Sequence, residues 1–143
     1  MSKNTAEITT ILCDDIRAEA GNKISLMGIY NQEITVPFLP FILPKLCLFV
    51  IIKKAQQNSI PSNFQVIVTG PISETINLEM KGGPKDTGKN KDSLSANIGI
   101  AISPFKIQSE GEAKIEIIAA GTEKPFAVHK FTIKKHEGGG IIF

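Results

Sequence analysis

The densest group of reactive side chains in the sequence is acidic and lies near its start. Asp14 and Asp15 follow an apolar run, and Glu19 stands a few residues further along. Clustered carboxylates can hold a hard cation such as Mg²⁺, through which a metal-dependent hydrolase activates water. Adjacent residues of a β-strand point to opposite faces, so Asp14 and Asp15 share a site only if the strand has already ended.

The turn that follows favours a structural role for these carboxylates. Gly21 and Asn22 are turn-forming residues that precede a second apolar run. We therefore expect the acidic side chains to cap the end of a hairpin, with Arg17 paired to one of them. A metal-dependent hydrolase that uses the three carboxylates is the alternative, and no residue is assigned a catalytic or metal-binding role.

Cysteine and histidine could supply zinc ligands or a nucleophile. The chain contains only Cys13, Cys47, His129 and His136, and their spacing matches no Cys-x-x-Cys or His-x₃-His pattern of a zinc site. Both cysteines lie in apolar runs, where burial raises a thiol pKa and makes the thiol unreactive. We expect two buried, reduced thiols without a disulfide between them, and no cofactor.

Composition argues against several classes of partner. The formal net charge is only +2, and Arg17 is the one arginine among 16 basic residues, whereas nucleic-acid binders carry arginine-rich basic stripes. The chain has no tryptophan and one tyrosine, Tyr30, so aromatic rings that stack on sugars are scarce. Its longest apolar run, Leu46–Ile52, is far shorter than the ~20 residues that span a bilayer. We expect neither a nucleic-acid nor a membrane partner, and disfavour a small-molecule or carbohydrate ligand.

Apolar alternation indicates about eight or nine short strands and no long helix. The strand at 23–30 is apolar on both faces and is expected to be central, as is the continuous apolar strand at 45–53. The proline-rich segment 37–44 is expected to cross between two sheets without forming a ladder strand. Strands 64–69 and 75–80 are expected to form a hairpin, and so are the last two strands, 112–119 and 126–135. The remaining predicted strands are 7–16, 33–36 and 96–102.

This rhythm of short strands predicts an all-β fold, an immunoglobulin-like β-sandwich forming one domain over residues 1–143. The hydrophilic segment 81–93 is expected to be a mobile loop, and residues 137–143 a flexible tail. The tail ends in Ile141, Ile142 and Phe143. These three residues either dock on their own domain or add to a sheet edge of a neighbouring molecule, and both alternatives stay open.

One stretch of sequence resembles a known family. Residues 13–30 read Cys-Asp-Asp-Ile-Arg-x-Glu-x-Gly-x-Lys-x-Ser-Leu-x-Gly-x-Tyr, and Leu43-Pro44-Lys45-Leu46 follows. This text is similar to that of an uncharacterised family of small bacterial and phage proteins, a domain of unknown function. The resemblance implies an immunoglobulin-like sandwich and a bacterial or phage origin. It implies no activity and assigns no site residue.

The sequence thus predicts an ordinary sandwich core without a convergent polar constellation. We expect a non-enzymatic protein-binding or assembly module, encoded by a bacterium, phage or prophage, that meets a protein partner or a second copy of itself. The first residues contain no apolar signal-peptide core, so we expect a cytoplasmic protein of a bacterial cell, with association with a virion a further expectation.

Overall fold

A computed structural model of the chain describes residues 7–55, 63–81 and 94–136. Within these ranges the chain forms 11 β-strands and no helix. The strands are β1 (Glu7–Glu19), β2 (Lys23–Ile29), β3 (Glu33–Val36), β4 (Phe41–Leu43), β5 (Leu46–Ala55), β6 (Phe64–Thr69), β7 (Ile76–Met80), β8 (Leu94–Ile102), β9 (Phe105–Ile107), β10 (Gly111–Ala119) and β11 (Pro125–Lys135). Of the expected loop at 81–93 only Lys81 is described, and the expected tail at 137–143, with Ile141, Ile142 and Phe143, lies outside the described residues.

The strands form two main sheets, as the predicted β-sandwich requires. The first sheet has the antiparallel order β2-β1-β5-β8. The second has the order β3-β11-β10-β6-β7 and is antiparallel except for the parallel pair of β3 and β11. Both predicted hairpins, β6–β7 and β10–β11, are confirmed, and β5 lies inside its sheet as expected.

The core lies between the two sheets and is built by alternation along each strand. Leu48 and Val50 of β5 point into the core, as do Val66 of β6 and Ile115 and Ile117 of β10. Each is 0–1% exposed, and burying a large aliphatic side chain contributes roughly 1.5–3 kcal/mol before entropy is subtracted. The period-2 pattern of the sequence is therefore the cause of the sandwich.

A third, small sheet corrects the prediction for the proline-rich segment. That segment crosses from the second sheet to the first, as expected, but Phe41–Leu43 also forms a short strand paired with Phe105–Ile107. The three residues fit between Pro40 and Pro44, so neither proline has to donate a hydrogen bond within the strand. This pair, β4–β9, raises the number of strands above the predicted eight or nine.

The first hairpin differs from its prediction in two ways. β1 continues to Glu19 instead of ending near Ile16, because β2 pairs with its second half. β2 is also an edge strand, whereas its two apolar faces had predicted a central one. Its apolar side chains are not explained by burial within the described chain, since Ile24, Met27 and Ile29 are all exposed.

Candidate functional site

The first hairpin leaves the body of the first sheet at Cys13. Upstream of Cys13, β1 pairs with β5 from Glu7 onward, and downstream it pairs with β2 as far as Glu19. Cys13 is the one residue that belongs to both ladders. Residues 14–29 therefore form a two-stranded projection, which we call the arm. Its turn is closed as predicted by Gly21 and Asn22, both with positive φ (80° and 58°).

The arm bends over the outer face of the first sheet. Leu46 and Leu48 point into the core, so Cys47 between them points to the outer face. On that face the Sγ of Cys47 lies 3.7 Å from the carbonyl oxygen of Asp14, so the backbone of the arm covers it. The side chain of Ile16 in the arm reaches β8, which lies two strands away from β1 in the sheet. A Cβ added to Gly99 of β8 would stand 3.5 Å from the Cδ1 of Ile16. This bend explains why cysteines outside the inter-sheet core are buried.

Asp15 lies at the root of the arm, two residues after Cys13, and carries a charge that several donors contact. Its Oδ1 accepts hydrogen bonds from Lys45 Nζ at 2.7 Å and from the backbone N–H of Ile16 at 3.0 Å. Its Oδ2 accepts one from Arg17 Nε at 3.1 Å, so the expected pairing of Arg17 with one of the aspartates is present. The hydrogen bond from Lys45, followed by that from Arg17, lowers the pKa of Asp15 to about 2. The carboxylate is charged at neutral pH, and its contribution to stability is lost progressively as the pH falls from the ordinary pKa of 3.8 to about 2.

Asp14 makes different contacts from its neighbour. It accepts a short hydrogen bond from the hydroxyl group of Tyr30. Burial, and then this hydrogen bond, raise the pKa of Tyr30 above its usual value. Gly28 lies against Asp14 with φ of 67°, and a Cβ there would stand 2.3 Å from Asp14 Oδ2. The arm can adopt this conformation only because residue 28 is glycine.

The structure does not bring the three predicted carboxylates together. Asp14 and Asp15 bind different partners in the middle of β1, so they do not cap its end as expected, because the strand continues past them. Glu19 pairs with Lys23 at the far end of the arm and is exposed. Among residues 7–55, 63–81 and 94–136, no group of three or more His, Cys, Asp or Glu side chains is placed to hold a metal.

The predicted cysteines and histidines lie in separate environments. Cys13 and Cys47 are free and buried, and burial is the largest cause that raises the pKa of each thiol. Nδ1 of His129 hydrogen-bonds to Thr10 Oγ1 at 2.8 Å, which joins β11 to β1 across the sandwich. Nε2 of His129 is buried and has no hydrogen-bond partner among the residues that the structure describes, and burial lowers the pKa of this histidine. The backbone N–H of His136 donates to Val36.

The outer edge of β2 is the feature that sequence reasoning missed. In the described part of the chain, β2 has β1 as its single neighbour. Three of its side chains are exposed: Ile24 at 43%, Met27 at 46% and Ile29 at 61%. The sequence did contain a signal for this edge, because a strand with two apolar faces needs other residues packed against both. The pattern could not say whether the cover comes from the same chain.

Fold and site together define an all-β sandwich protein whose arm has an outer sheet edge that pairs with no other strand in the described part of the chain. The chain belongs to a family of unknown function, DUF6941, which it matches over residues 8–131. No curated protein matches it. No helix in the described ranges is long and apolar enough to cross a membrane.

Two solved structures match the chain at low similarity. One is a β-glucosidase from Listeria innocua in complex with isofagomine, at 11% identity and a TM-score of 0.37, covering 91% of this chain. The other is a mutant β-glucosidase from Listeria innocua in complex with laminaribiose, at 12% identity and a TM-score of 0.34, covering 96% of this chain. The chain spans only 16% of the length of each. Likeness at this level carries no argument about activity.

Proposed function

We propose that this protein is a non-enzymatic protein-binding or assembly module whose docking site is the outer edge of β2. The observation that supports the proposal is a seven-residue edge strand whose outer side has no neighbouring strand within residues 7–55, 63–81 and 94–136 and which carries three exposed apolar side chains. Such an edge recognises an extended polypeptide by strand addition, in which main-chain hydrogen bonds give affinity and alternate side chains give specificity.

The register identifies the backbone groups that would bind. The N–H of Tyr30 donates to Leu12 O at 2.8 Å, so Tyr30 turns this group toward β1. Backbone direction alternates along an antiparallel strand. Ile29, beside Tyr30, therefore turns its N–H and C=O groups to the outer side of the strand, where they can pair with an added strand. The positive φ of Gly28 (67°) interrupts this alternation before Met27.

Comparison with the other sheet edges favours β2. Edge strands are commonly protected by prolines, charges or shortness. β3 and β7 are short, with four and five residues, and the exposed side of β8 carries the polar or small residues Asn97, Gly99 and Ala101. β2 contains no proline and a single charge, Lys23, at its first position. It is the edge with the most exposed apolar surface and the least protection among these four.

The partner's chemistry follows from this edge. An extended segment with apolar residues at alternate positions would place them beside Met27 and Ile29 on one face or beside Ile24 on the other. The β2 strand of a second copy meets the same description. A measurement of the oligomeric state therefore distinguishes self-association from binding to a different protein.

The proposal is tested with a pair of lysines on the edge. The double variant Met27→Lys, Ile29→Lys places charge where the added strand would pack, and Ile42→Lys is the control because Ile42 is 57% exposed and belongs to β4, a strand of another sheet. Light scattering and affinity capture from the native host measure association. We expect the double variant to lose self-association or the captured partner, and the control to keep it. Equal association by both variants would contradict the proposal.

The non-enzymatic part of the proposal has a separate test. Titration calorimetry with Mg²⁺, Mn²⁺ and Ca²⁺ is expected to give no binding heat. Heat that disappears in Asp15→Asn would support the metal-dependent hydrolase instead, since Asp15 would then be a metal ligand.

We further propose that the protein is cytoplasmic and of bacterial, phage or prophage origin. The support is the resemblance of residues 13–30 and the two free thiols, which are typical of a reducing compartment. Genes for virion assembly beside this gene would favour a phage origin. Neighbours that encode secreted or envelope proteins would contradict a cytoplasmic role.

A further inference from the structure

Cys13 and Cys47 face each other at the root of the arm. They are directly paired in the antiparallel ladder between β1 and β5. Cys13 is also the residue at which β1 changes partner from β5 to β2. A covalent bond between these two side chains would therefore fix the point where the arm leaves the sheet. The chain contains no other cysteine, so no other intramolecular disulfide can compete.

The register satisfies the Cα spacing that a disulfide needs. Directly opposed residues of antiparallel strands share a face and have Cα atoms about 4.5–5.5 Å apart. Disulfides form at Cα separations of about 4.4–6.8 Å. The Sγ atoms of Cys13 and Cys47 now lie 3.5 Å and 3.7 Å from the carbonyl oxygens of Asp15 and Asp14. These are weak thiol hydrogen bonds, and their loss opposes the new bond only slightly.

Access to the thiols depends on the arm. Cys13 and Cys47 are 0% and 1% exposed, although they face the outer side of the sheet, because the backbone of the arm passes over them. Opening of the arm from its root would expose both sulfurs to a small reagent. Arm contacts that oppose opening include the hydrogen bonds of Asp15 to Lys45 and of Tyr30 to Asp14.

We propose that Cys13 and Cys47 form a reversible disulfide that locks the root of the arm when a low-molecular-weight disulfide is in excess. The thiolate of one cysteine attacks the small disulfide and releases one small thiol. The thiolate of the other cysteine then attacks the mixed disulfide, releases the second small thiol and closes the Cys13–Cys47 bond. The two protein thiols lose two protons and two electrons, and the small disulfide is reduced to two thiols. The lock is a property of the isolated chain and does not rest on the proposed binding function.

The test uses glutathione as the small thiol. The full chain is equilibrated at graded ratios of oxidised to reduced glutathione, quenched by alkylation and weighed by mass spectrometry. Wild type is expected to lose two hydrogen atoms without gaining glutathione, and to become resistant to alkylation. The matched variants Cys13→Ser and Cys47→Ser, with near-identical side-chain volume, are expected to stop at the single glutathione adduct or to stay reduced.

Several results would contradict the proposed disulfide. Wild type that keeps two alkylatable thiols at every ratio, both in buffer and in mild urea that opens the arm, would exclude the bond. So would a stable glutathione adduct or an intermolecular disulfide in wild type. If the bond forms, hydrogen exchange of the arm amides should slow severalfold in the oxidised chain, while β10 is unchanged. Unchanged exchange in the arm would show that the bond does not act as a lock.

Discussion

Gly28 is the residue on which the shape of the arm depends most directly. Its left-handed backbone and the absence of a Cβ allow Asp14 to lie against it and to bind the hydroxyl group of Tyr30. The sequence predicted that Asp14, Gly28 and Tyr30 belong to one hairpin. It could not predict that they touch, because this contact requires β1 to continue past Asp15 and the register to bring Gly28 opposite Asp14.

We predict that Gly28→Ala destabilises the protein by about 1–3 kcal/mol, since a β-carbon at positive φ is strained and displaces the carboxylate of Asp14. Gly99→Ala is the matched control, because its added Cβ meets Ile16 at an ordinary contact distance of 3.5 Å. The control should change the free energy of unfolding by less than about 0.5 kcal/mol. Urea unfolding measures both, and equal effects would contradict the assigned role of Gly28.

His129 gives the fold a pH dependence of definite sign. Burial lowers its pKa below the ordinary value of 6.5, so the unfolded chain binds a proton before the folded chain does. The free energy of unfolding should therefore fall as the pH drops below about 6.5, and level off below the folded pKa.

The matched variants His129→Gln and His136→Gln test this dependence by urea unfolding between pH 7.5 and 5.5, above the titration range of ordinary carboxylates. His129→Gln should flatten the dependence, since glutamine does not titrate and can keep a hydrogen bond to Thr10. His136→Gln, at an exposed position, should keep the wild-type slope. A slope that survives in His129→Gln would assign the effect to another group.

The strands show how far periodicity leads and where it stops. Apolar patterning predicted the strands β5, β6, β10 and β11, and the structure confirms them because one face of each is covered by the opposite sheet of the same chain. It placed β2 at the centre of a sheet because apolar residues on two faces usually mean burial on two faces. It missed β4 and β9 because three-residue strands next to prolines depend on a partner distant in sequence, which no local pattern reveals.

The small β4–β9 sheet should nevertheless contribute strongly to stability. Phe105 of β9 is fully buried and lies beside Phe131, with ring centroids 6.3 Å apart. We predict that Phe105→Ala costs about 3–5 kcal/mol, the usual range for a buried phenylalanine. Phe38→Ala, at a ring that is 58% exposed, should cost under about 1 kcal/mol. Thermal unfolding compares the two, and similar losses would show that β9 is not part of the core.

The molecule as a whole separates its core from its proposed docking site. The chain passes repeatedly between the two sheets, and the buried cluster draws on both. Ile24, Met27 and Ile29 lie outside that cluster. Binding at the edge of β2 would therefore leave the packing of the core unchanged.

It follows that Met27→Lys and Ile29→Lys should each change the free energy of unfolding by less than about 0.5 kcal/mol, as is usual for surface positions. Chemical denaturation of the single variants measures this directly. A loss of several kcal/mol in either variant would show that the edge serves the fold itself and would weaken the case for a docking role.

The most direct test of the β2 edge is site-specific photocrosslinking in cells of the organism that encodes the protein. A photoreactive benzoyl-phenylalanine is placed at position 27 in one sample and at position 42 in a matched sample. Both native side chains are exposed, at 46% and 57%. We predict a discrete crosslinked protein, or a crosslinked dimer, from position 27 that is absent from position 42. The same products from both positions, or none from position 27, would contradict it.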